Sequence, residues 1–177
     1  MAAPTWAAVV VNFESGALLL DCVRSLLTDD GAGVPDIVVV DNGSADGSVA
    51  ALLAAIPDVT VVDPGANLGY AGAANRGIAA TTAPVVAVSP IVQGATLKGP
   101  ADKMLHGLGF EVSAYGVAQY YKGLLHGLVI DTLDAALQPR LERLGLRVEV
   151  TNTIMRTLAD KQALAQTMLA LARKCQP

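Results

Sequence analysis

The sequence has few aromatic residues, no cluster of basic residues and only two cysteines. Aromatics make up 4% of the 177 residues, so the hydrophobic 53% is mostly Ala, Val and Leu. The formal net charge is −4, and the Lys and Arg residues are scattered. Because nucleic-acid-binding proteins cluster their basic residues against the phosphate backbone, the sequence argues against a nucleic-acid partner.

Long apolar runs and targeting signals are also missing. No stretch reaches about 18 uninterrupted apolar residues, so we predict no transmembrane segment. The N-terminal MAAPTWAAVVVNFE lacks the basic start and the long apolar run of a secretory signal. Cys22 and Cys175 lie far apart within helical patterns, which is typical of reduced, unpaired thiols. These absences predict a cytoplasmic protein.

Apolar strands alternate with helical patterns along the whole chain. Continuous Val, Ile and Leu runs are typical of parallel strands that are covered on both faces, and β-α-β alternation implies right-handed crossovers. We therefore predict an α/β fold with a parallel, Rossmann-like sheet of about six strands flanked by helices. The predicted strands are 7–13, 36–41, 59–63, 84–89, 127–131 and 146–152.

Seven helices are predicted between these strands. Ser15 is the expected cap of the first, and Asp46 or Ser44 is the expected cap of the second, which runs through Leu53. The others are 70–80, 99–109, 113–125, 134–145 and 157–174. Pro139 must lie early in its helix or break it.

Polar side chains of the first half gather where its strands end. Ligands of open α/β sheets bind at the carboxyl ends of strands, and nearby glycines let a phosphate approach the backbone. The polar candidates are Asn12, Glu14, Asp41, Asn42, Ser44, Asn67 and Asn75, and the glycines are Gly65, Gly69 and Gly72.

Three segments of this half, VVVNFESGALLLDCVRSL, IVVVDNGSADGS and NLGYAGAANRGI, resemble successive signatures of family-2 glycosyltransferases. The resemblance covers about residues 7–89 and implies a GT-A-like site for a nucleoside-diphosphate sugar. Asn12 and Glu14 would lie at the first strand end, and Asp41 would contact the nucleobase or ribose. The diphosphate side of a uridine or thymidine nucleotide would be lined by Asn67, Gly69 and Asn75. The alternative is that Asp41, Asn42 and Ser44 only build a turn and a helix cap.

The sequence departs from that family after the fourth strand. Where the family carries an acidic ligand for a divalent metal, usually within Asn-Pro-Asp, this chain reads Ser89-Pro90-Ile91. Isoleucine cannot bind a metal, and the leaving diphosphate then loses its charge neutraliser. The acceptor half is also missing, so sugar transfer by this chain alone is not expected.

The second half, from VVAVSPIVQGATLKGPADKML to LGLRVEVTNTIMRTLADKQALAQTMLALA, resembles the C-terminal half of the 2-phospho-L-lactate transferase family of coenzyme F420 biosynthesis. The resemblance covers about residues 85–175. It implies transfer of a phospho-carboxylate from a guanosine-diphosphate-activated donor to a deazaflavin alcohol. Both resemblances imply a divalent metal, Mg or Mn, whose ligands are missing here.

The loop after the fourth strand suits a phosphate. It carries Ser89, Gly94 and Lys98 and enters a helix, whose N-terminus favours anions. Lys98 would add a point charge for a phosphate. The alternative is that Lys98 is a solvated surface lysine. Asp131 ends a strand and binds a hydroxyl or caps the next turn. Thr153 and Arg156 follow the last strand, where Arg156 would pair with a phosphate or stay exposed.

Some residues of the second half differ from the family or stand alone. The family usually has a glycine pair in place of Gln93-Gly94, and Asp in place of Asn152. His106 and His126 are interpreted as structural.

The two resemblances meet inside the strand at 84–89. We interpret the chain as a fusion, with residues 1–89 a nucleotide-sugar-binding half and residues 90–177 a phospholactate-transferase half. Three functions stay open: a transferase, a binding module for a nucleotide-activated small molecule, and a non-functional fusion. A homodimer is also left open.

Overall fold

The computed structural model describes residues 6–28 and 35–175. The chain divides into two compact units, Met1–Ala83 and Pro84–Pro177. The division precedes the strand in which the two resemblances meet. The assignment of 1–89 and 90–177 to two families of origin remains a prediction.

The first unit contains a three-stranded parallel sheet of order β1-β2-β3. Its strands are β1 (Ala7–Asn12), β2 (Asp36–Asp41) and β3 (Thr60–Val62), and its helices are α1 (Ala17–Leu27), α2 (Ser48–Ala55) and α3 (Gly69–Ala79). The register aligns Asn12 with Asp41, the last residues of β1 and β2. The polar residues that follow both strands therefore emerge at one edge of the sheet.

Strand β2 is buried because both of its faces are covered. Ile37 and Val39 pack with Leu19, Val23 and Leu52 from α1 and α2. Val38 and Val40 pack with Ala73 of α3 on the other face. This two-sided burial explains why the strand reads as an uninterrupted apolar run.

The second unit contains another three-stranded parallel sheet, of order β4-β7-β8, and an antiparallel pair, β5-β6. The strands are β4 (Val86–Val88), β5 (Ile91–Val92), β6 (Ala95–Thr96), β7 (Gly127–Asp131) and β8 (Arg147–Thr151). The helices are α4 (Ala101–Gly107), α5 (Ala114–Tyr120), a 3₁₀ helix (Thr132–Leu137), α6 (Gln138–Glu142) and α7 (Leu158–Lys174).

Strand β7 forms the centre of the second core. Leu128 and Ile130 pack with Ala114, Ala118 and Leu141 of α5 and α6. On the opposite face, residues of α7 cover the strand. The members of that cluster are Val129, Leu164 and Leu171, with Val86, Val88 and Met168 beside them.

The α/β class is confirmed, and within the described residues the six parallel strands form two sheets of three. The β5-β6 hairpin was not predicted, because two-residue strands carry no periodic signal. Two predicted caps were wrong. The N-caps are Gly16 and Gly47, because the backbone turns there with positive φ. Pro139 does lie in the first turn of its helix.

Candidate functional site

The buried side chain of Asn12, 1% exposed, organises the sheet edge of the first unit. Its Nδ2 lies 3.1 Å from Asp41 Oδ1, 3.0 Å from Ser44 Oγ and 2.9 Å from Ser48 Oγ. Its Oδ1 accepts a hydrogen bond from Ser15 Oγ. An amide has two N–H donors, so the three acceptors share them. One side chain thereby fixes the loops that follow β1 and β2.

Backbone contacts tie the same two loops together. Glu14 Oε1 accepts from the Ala45 N–H at 2.7 Å, and the Glu14 N–H donates to Ser44 Oγ at 3.1 Å. Glu14 has a φ of 49°, a left-handed conformation that is uncommon for a residue with a side chain. Glu14 thus links the two loops, and its Oε1 already accepts a hydrogen bond.

Asp46 lies at the N-terminus of α2. Its Oδ1 accepts from the Ser48 N–H at 3.0 Å and from Ser48 Oγ at 2.6 Å, and its Oδ2 accepts from the Gly16 N–H at 2.6 Å. The Ser48 side-chain bond and these backbone bonds outweigh desolvation and lower the pKa of Asp46. The carboxylate is therefore ionised at neutral pH.

Asn42 and Asn67 fix the entry to α3. Asn42 Nδ2 donates to Asn67 Oδ1 at 2.8 Å, and Asn42 Oδ1 accepts from the Leu68 N–H at 2.8 Å. Asn67 Oδ1 also accepts from the Gly69 N–H at 2.9 Å, where φ is 69°. Asn75 is exposed on α3. The structure therefore joins Asn42, Asn67 and Gly69, while Asn75 makes no side-chain hydrogen bond among the described residues.

An open cleft of about 320 Å³ lies beside this network. Its lining combines two carboxylates, two hydroxyls and the first turn of α2. The residues are Asp41, Ser44, Ala45, Asp46, Gly47, Ser48, Val49 and Ala50. Among the described residues, Asp41 Oδ2 has no hydrogen-bond partner, so it is available to a ligand. The sequence analysis treated Asp46 only as a helix cap and missed Ser48. The segment Asp46-Gly47-Ser48, which contains both residues, could have indicated them as site residues.

In the second unit the carboxyl ends of β4, β7 and β8 carry Ser89, Asp131 and Thr153. Asp131 Oδ2 accepts from the Thr153 N–H at 2.8 Å and from Thr153 Oγ at 2.9 Å. Asp131 Oδ1 accepts from the Leu133 N–H at 3.0 Å and caps the 3₁₀ helix. Burial raises the pKa of Asp131, but the hydrogen bonds from Leu133, Thr153 and Thr132 together lower it.

Ser89 and the hairpin shape the loop that leaves β4. Ser89 Oγ donates to the Ile91 carbonyl at 3.0 Å and accepts from the Ile91 N–H at 3.2 Å. The turn consists of Gln93 and Gly94, with φ of 49° and 79°. The Gln93 N–H donates to both carboxylate oxygens of Asp134, at 3.2 and 3.0 Å. Sequence reasoning missed Asp134.

Two cations of the second unit lie on exposed segments. Lys98 follows β6, and Arg156 precedes α7 with its N–H bonded to Asp160 Oδ2 at 2.9 Å. The two ion pairs among the described residues, Arg140–Glu111 and Lys174–Glu149, involve neither cation. Both side chains are therefore available to an anion.

Of the two histidines, His126 has a backbone role. Its Nδ1 accepts from the Val85 N–H at 3.0 Å, at the start of β4. His106 is exposed on α4. Neither histidine touches the strand ends that carry Ser89 and Asp131 among the described hydrogen bonds.

The side chains do not suit the divalent metal that both resemblances imply. Ile91, 0% exposed, packs with Leu105 and Val117, so the position where an acidic ligand was expected is apolar and inaccessible. Within 6–28 and 35–175 no group of three or more His, Cys, Asp or Glu residues could hold a metal ion. No step is therefore assigned to a metal. No described helix is long and apolar enough to cross a membrane.

Comparison with known proteins gives relatives of two kinds. The family model for glycosyl transferase family 2 matches residues 7–89. The phosphoenolpyruvate transferase of Streptomyces avermitilis is 41% identical over 92 residues, 51% of this chain and 29% of the relative. The 2-phospho-L-lactate transferase of Methanosarcina acetivorans is 40% identical over 87 residues, 49% of this chain and 28% of the relative.

The 2-phospho-L-lactate transferase of Methanocaldococcus jannaschii is also similar, with 40% identity over 85 residues, 48% of this chain and 26% of the relative. The chain thus spans less than a third of the length of these curated relatives. The predicted double resemblance is confirmed: the chain is similar over residues 7–89 to family-2 glycosyltransferases and over about half its length to 2-phospho-L-lactate transferases.

Proposed function

We propose that this chain is a transferase-related protein of coenzyme F420 biosynthesis whose second unit binds the phosphorylated end of a guanosine-diphosphate-activated phospho-carboxylate donor. The observation that carries the proposal is the shared sheet edge of β4, β7 and β8, which holds Ser89, Asp131 and Thr153. The roughly 40% identity to 2-phospho-L-lactate transferases supports the same reading. The deazaflavin alcohol is the proposed acceptor.

The side chains of this edge divide into a frame and a binding set. Asp131 and Thr153 bond to each other, so they shape the edge rather than contact a ligand. Lys98 and Arg156 are exposed and form no ion pair with another described residue. In the proposal these two cations bind phosphate oxygens, and Arg156 can do so through two parallel N–H donors.

We propose further that the isolated chain binds its ligands but does not catalyse the transfer. Phosphoryl-linked transfer needs neutralisation of the charge that develops on the leaving group. Within the described residues no group of three or more His, Cys, Asp or Glu could hold a metal ion that would supply this neutralisation. We therefore expect binding of donor and acceptor without turnover by the isolated chain. A cytoplasmic location and a homodimer remain predictions.

Calorimetric titration of the full chain with guanosine diphosphate tests the second unit. Lys98→Ala should weaken binding by about 10- to 150-fold, because a charge-assisted phosphate contact is worth about 1.5–3 kcal/mol. Lys122→Ala, which removes another exposed lysine of the same unit, is the matched control and should leave affinity unchanged. Equal affinities for wild type and Lys98→Ala, or no binding by wild type, would contradict the proposal.

A second function, binding of a nucleoside-diphosphate sugar or a related nucleotide by the first unit, is favoured by a separate observation. Asn12 holds Asp41, Ser44 and Ser48 around the 320 Å³ cleft, within the segment that matches glycosyl transferase family 2. Asp41→Asn should weaken uridine binding, because the free carboxylate oxygen becomes a donor. Asp21→Asn, an exposed change on α1, is the control. Unchanged uridine affinity in Asp41→Asn would reject this second function.

A further inference from the structure

We infer that the first-unit cleft binds the nucleoside part of its ligand without a divalent metal and discriminates against the diphosphate. The inference rests on the second function proposed above and specifies its ligand class. It reverses the expectation from the family resemblance, in which a metal-bound diphosphate contributes to binding. Three features of this chain support it.

The first feature is the occupied N-terminus of α2. A helix N-terminus attracts anions through its unsatisfied N–H groups and its dipole. Here the Asp46 carboxylate already accepts from the Ser48 N–H and from the Gly16 N–H, at 3.0 and 2.6 Å. Asp46 therefore occupies the place of a phosphate and adds a negative charge beside any diphosphate that enters.

The second feature is the charge of the cleft and of its unit. Two lining residues, Asp41 and Asp46, are acidic, and no lining residue is basic. Residues 1–83 contain nine Asp and Glu but only two Arg and no Lys. Like charges a few ångström apart repel by about 1 kcal/mol in bulk water and by more near a protein surface. A diphosphate therefore meets repulsion that an uncharged nucleoside does not.

The third feature is the missing metal site. A divalent cation between carboxylates and diphosphate would reverse the repulsion, but it needs several oxygen donors converging on one point. By the family resemblance the acidic ligand would stand at position 91, where this chain has an isoleucine, whose side chain has no donor atom for a metal. The described residues offer no three-donor group elsewhere. In the cleft lining, both carboxylate oxygens of Asp46 already accept hydrogen bonds, which leaves Asp41 with a free carboxylate oxygen. We therefore expect added Mg or Mn not to strengthen diphosphate binding.

The chemistry that remains suits a ribose and a base edge. Asp41 Oδ2 can accept hydrogen bonds from ribose hydroxyls or from a base N–H, and Ser44 adds a hydroxyl at the same wall. The cleft volume of about 320 Å³ is at the lower end of small-molecule sites, which span about 300–1,000 Å³. The cleft thus has the size and acceptors for a nucleoside, without a cationic wall for phosphates.

The test is calorimetric titration with uridine, uridine monophosphate and uridine diphosphate, each with and without Mg and Mn. The full chain carries Lys98→Ala and Arg156→Ala, so that the cations proposed to bind phosphate in the second unit do not contribute. We expect uridine to bind tightest, with uridine diphosphate weaker by on the order of tenfold at low salt. Raising the ionic strength from about 0.01 M to about 0.15 M shortens the Debye length from about 30 Å to about 8 Å. That change should strengthen diphosphate binding and leave uridine binding unchanged.

Two Asp→Asn variants, one in the cleft and one outside it, separate the effect of the cleft charge on binding from a general effect on folding. Asp46→Asn removes one cleft charge and should narrow the gap between uridine and uridine diphosphate, while Asp21→Asn should not change it. Tighter binding of uridine diphosphate than of uridine at low salt, or its strengthening by Mg or Mn, overturns the inference while leaving nucleotide binding intact. Failure of all three ligands to bind overturns nucleotide binding by this unit itself.

Discussion

The side-chain amide of Asn12 donates to the Asp41 carboxylate at 3.1 Å, and the two residues are direct partners at the ends of adjacent parallel strands. The contact couples sheet register to a carboxylate that lines the cleft. A register shift between β1 and β2 would break the bond and move Asp41 away from the cleft. The network that follows, through Ser44 and Ser48, makes the geometry of the loop a consequence of strand pairing.

Removal of the Asn12 amide should destabilise the first unit. Asn12→Ala leaves Asp41, Ser44 and Ser48 without their shared donor at a buried position, and an unsatisfied buried group costs about 1–3 kcal/mol. Urea unfolding measures the loss. Asn75→Ala, at an exposed position on α3, serves as the control and should change stability very little. Equal stabilities of the two variants would show that the network does not hold the loops.

Close packing of α3 on β1 gives a second prediction. A Cβ atom at Gly77 would lie 2.2 Å from Val9 Cγ1, so Gly77→Ala should cost about 1–3 kcal/mol through overpacking. A Cβ at Gly107 meets nothing within 4 Å, so Gly107→Ala is the control and should be neutral or slightly stabilising. Denaturant midpoints compare the two. A neutral Gly77→Ala would mean that α3 packs less tightly.

The hairpin turn gives a third prediction. Gln93 has a φ of 49°, and a non-glycine residue pays a steric penalty there. Gln93→Gly should therefore stabilise the second unit by about 0.5–1 kcal/mol. Gln119→Gly, within α5, should instead destabilise it by about 0.5–1 kcal/mol because helix interiors disfavour glycine. If both substitutions changed the free energy of unfolding in the same direction, the backbone argument would be contradicted.

Acid should weaken the second unit through Asp131. Its folded-state pKa is lowered because the hydrogen bonds from Leu133, Thr153 and Thr132 outweigh the opposing effect of burial. Its stabilising contribution is present above the unfolded-state pKa of about 3.9 and is lost as pH falls through the lower folded-state value. Chemical unfolding of wild type and Asp131→Asn from neutral to acidic pH measures this difference.

Asp131→Asn should be less stable than wild type at neutral pH, because an amide N–H then faces the donors of Thr153. The gap between the two proteins should shrink as the pH falls below about 3.9. A difference in stability that is independent of pH would show that the charge of Asp131 does not contribute to the stability of the second unit.

The strands and most helices were predictable because their signals are local. The apolar run at β2 and the helical spacing of Leu19 and Val23 place those elements within a few residues. Strand-end logic also placed Asn12 and Asp41 at one edge. Ser48 was missed, because its contact with Asn12 depends on strand register and on the path of a loop.

Other features could not be read from the sequence for similar reasons. Asp134 holds the Gln93 turn across 41 positions of sequence, a pairing that no local pattern reveals. The helix starts at Gly16 and Gly47 depend on backbone φ values, whereas the sequence offered Ser15 and Asp46 as conventional caps. Asp46 nevertheless accepts a hydrogen bond from the first turn of α2. Its interaction with the helix was therefore predicted, although it is not the N-cap residue.

The most direct test of the account is thermal unfolding of the full chain with uridine, with guanosine diphosphate, and with both. A ligand at about a hundredfold excess over its dissociation constant adds about 2.7 kcal/mol of stability to the state that it binds. We expect each ligand to raise an unfolding midpoint and the two effects to combine, because we propose a separate site in each unit. Absence of a cooperative transition, or a midpoint that neither ligand shifts, would contradict it.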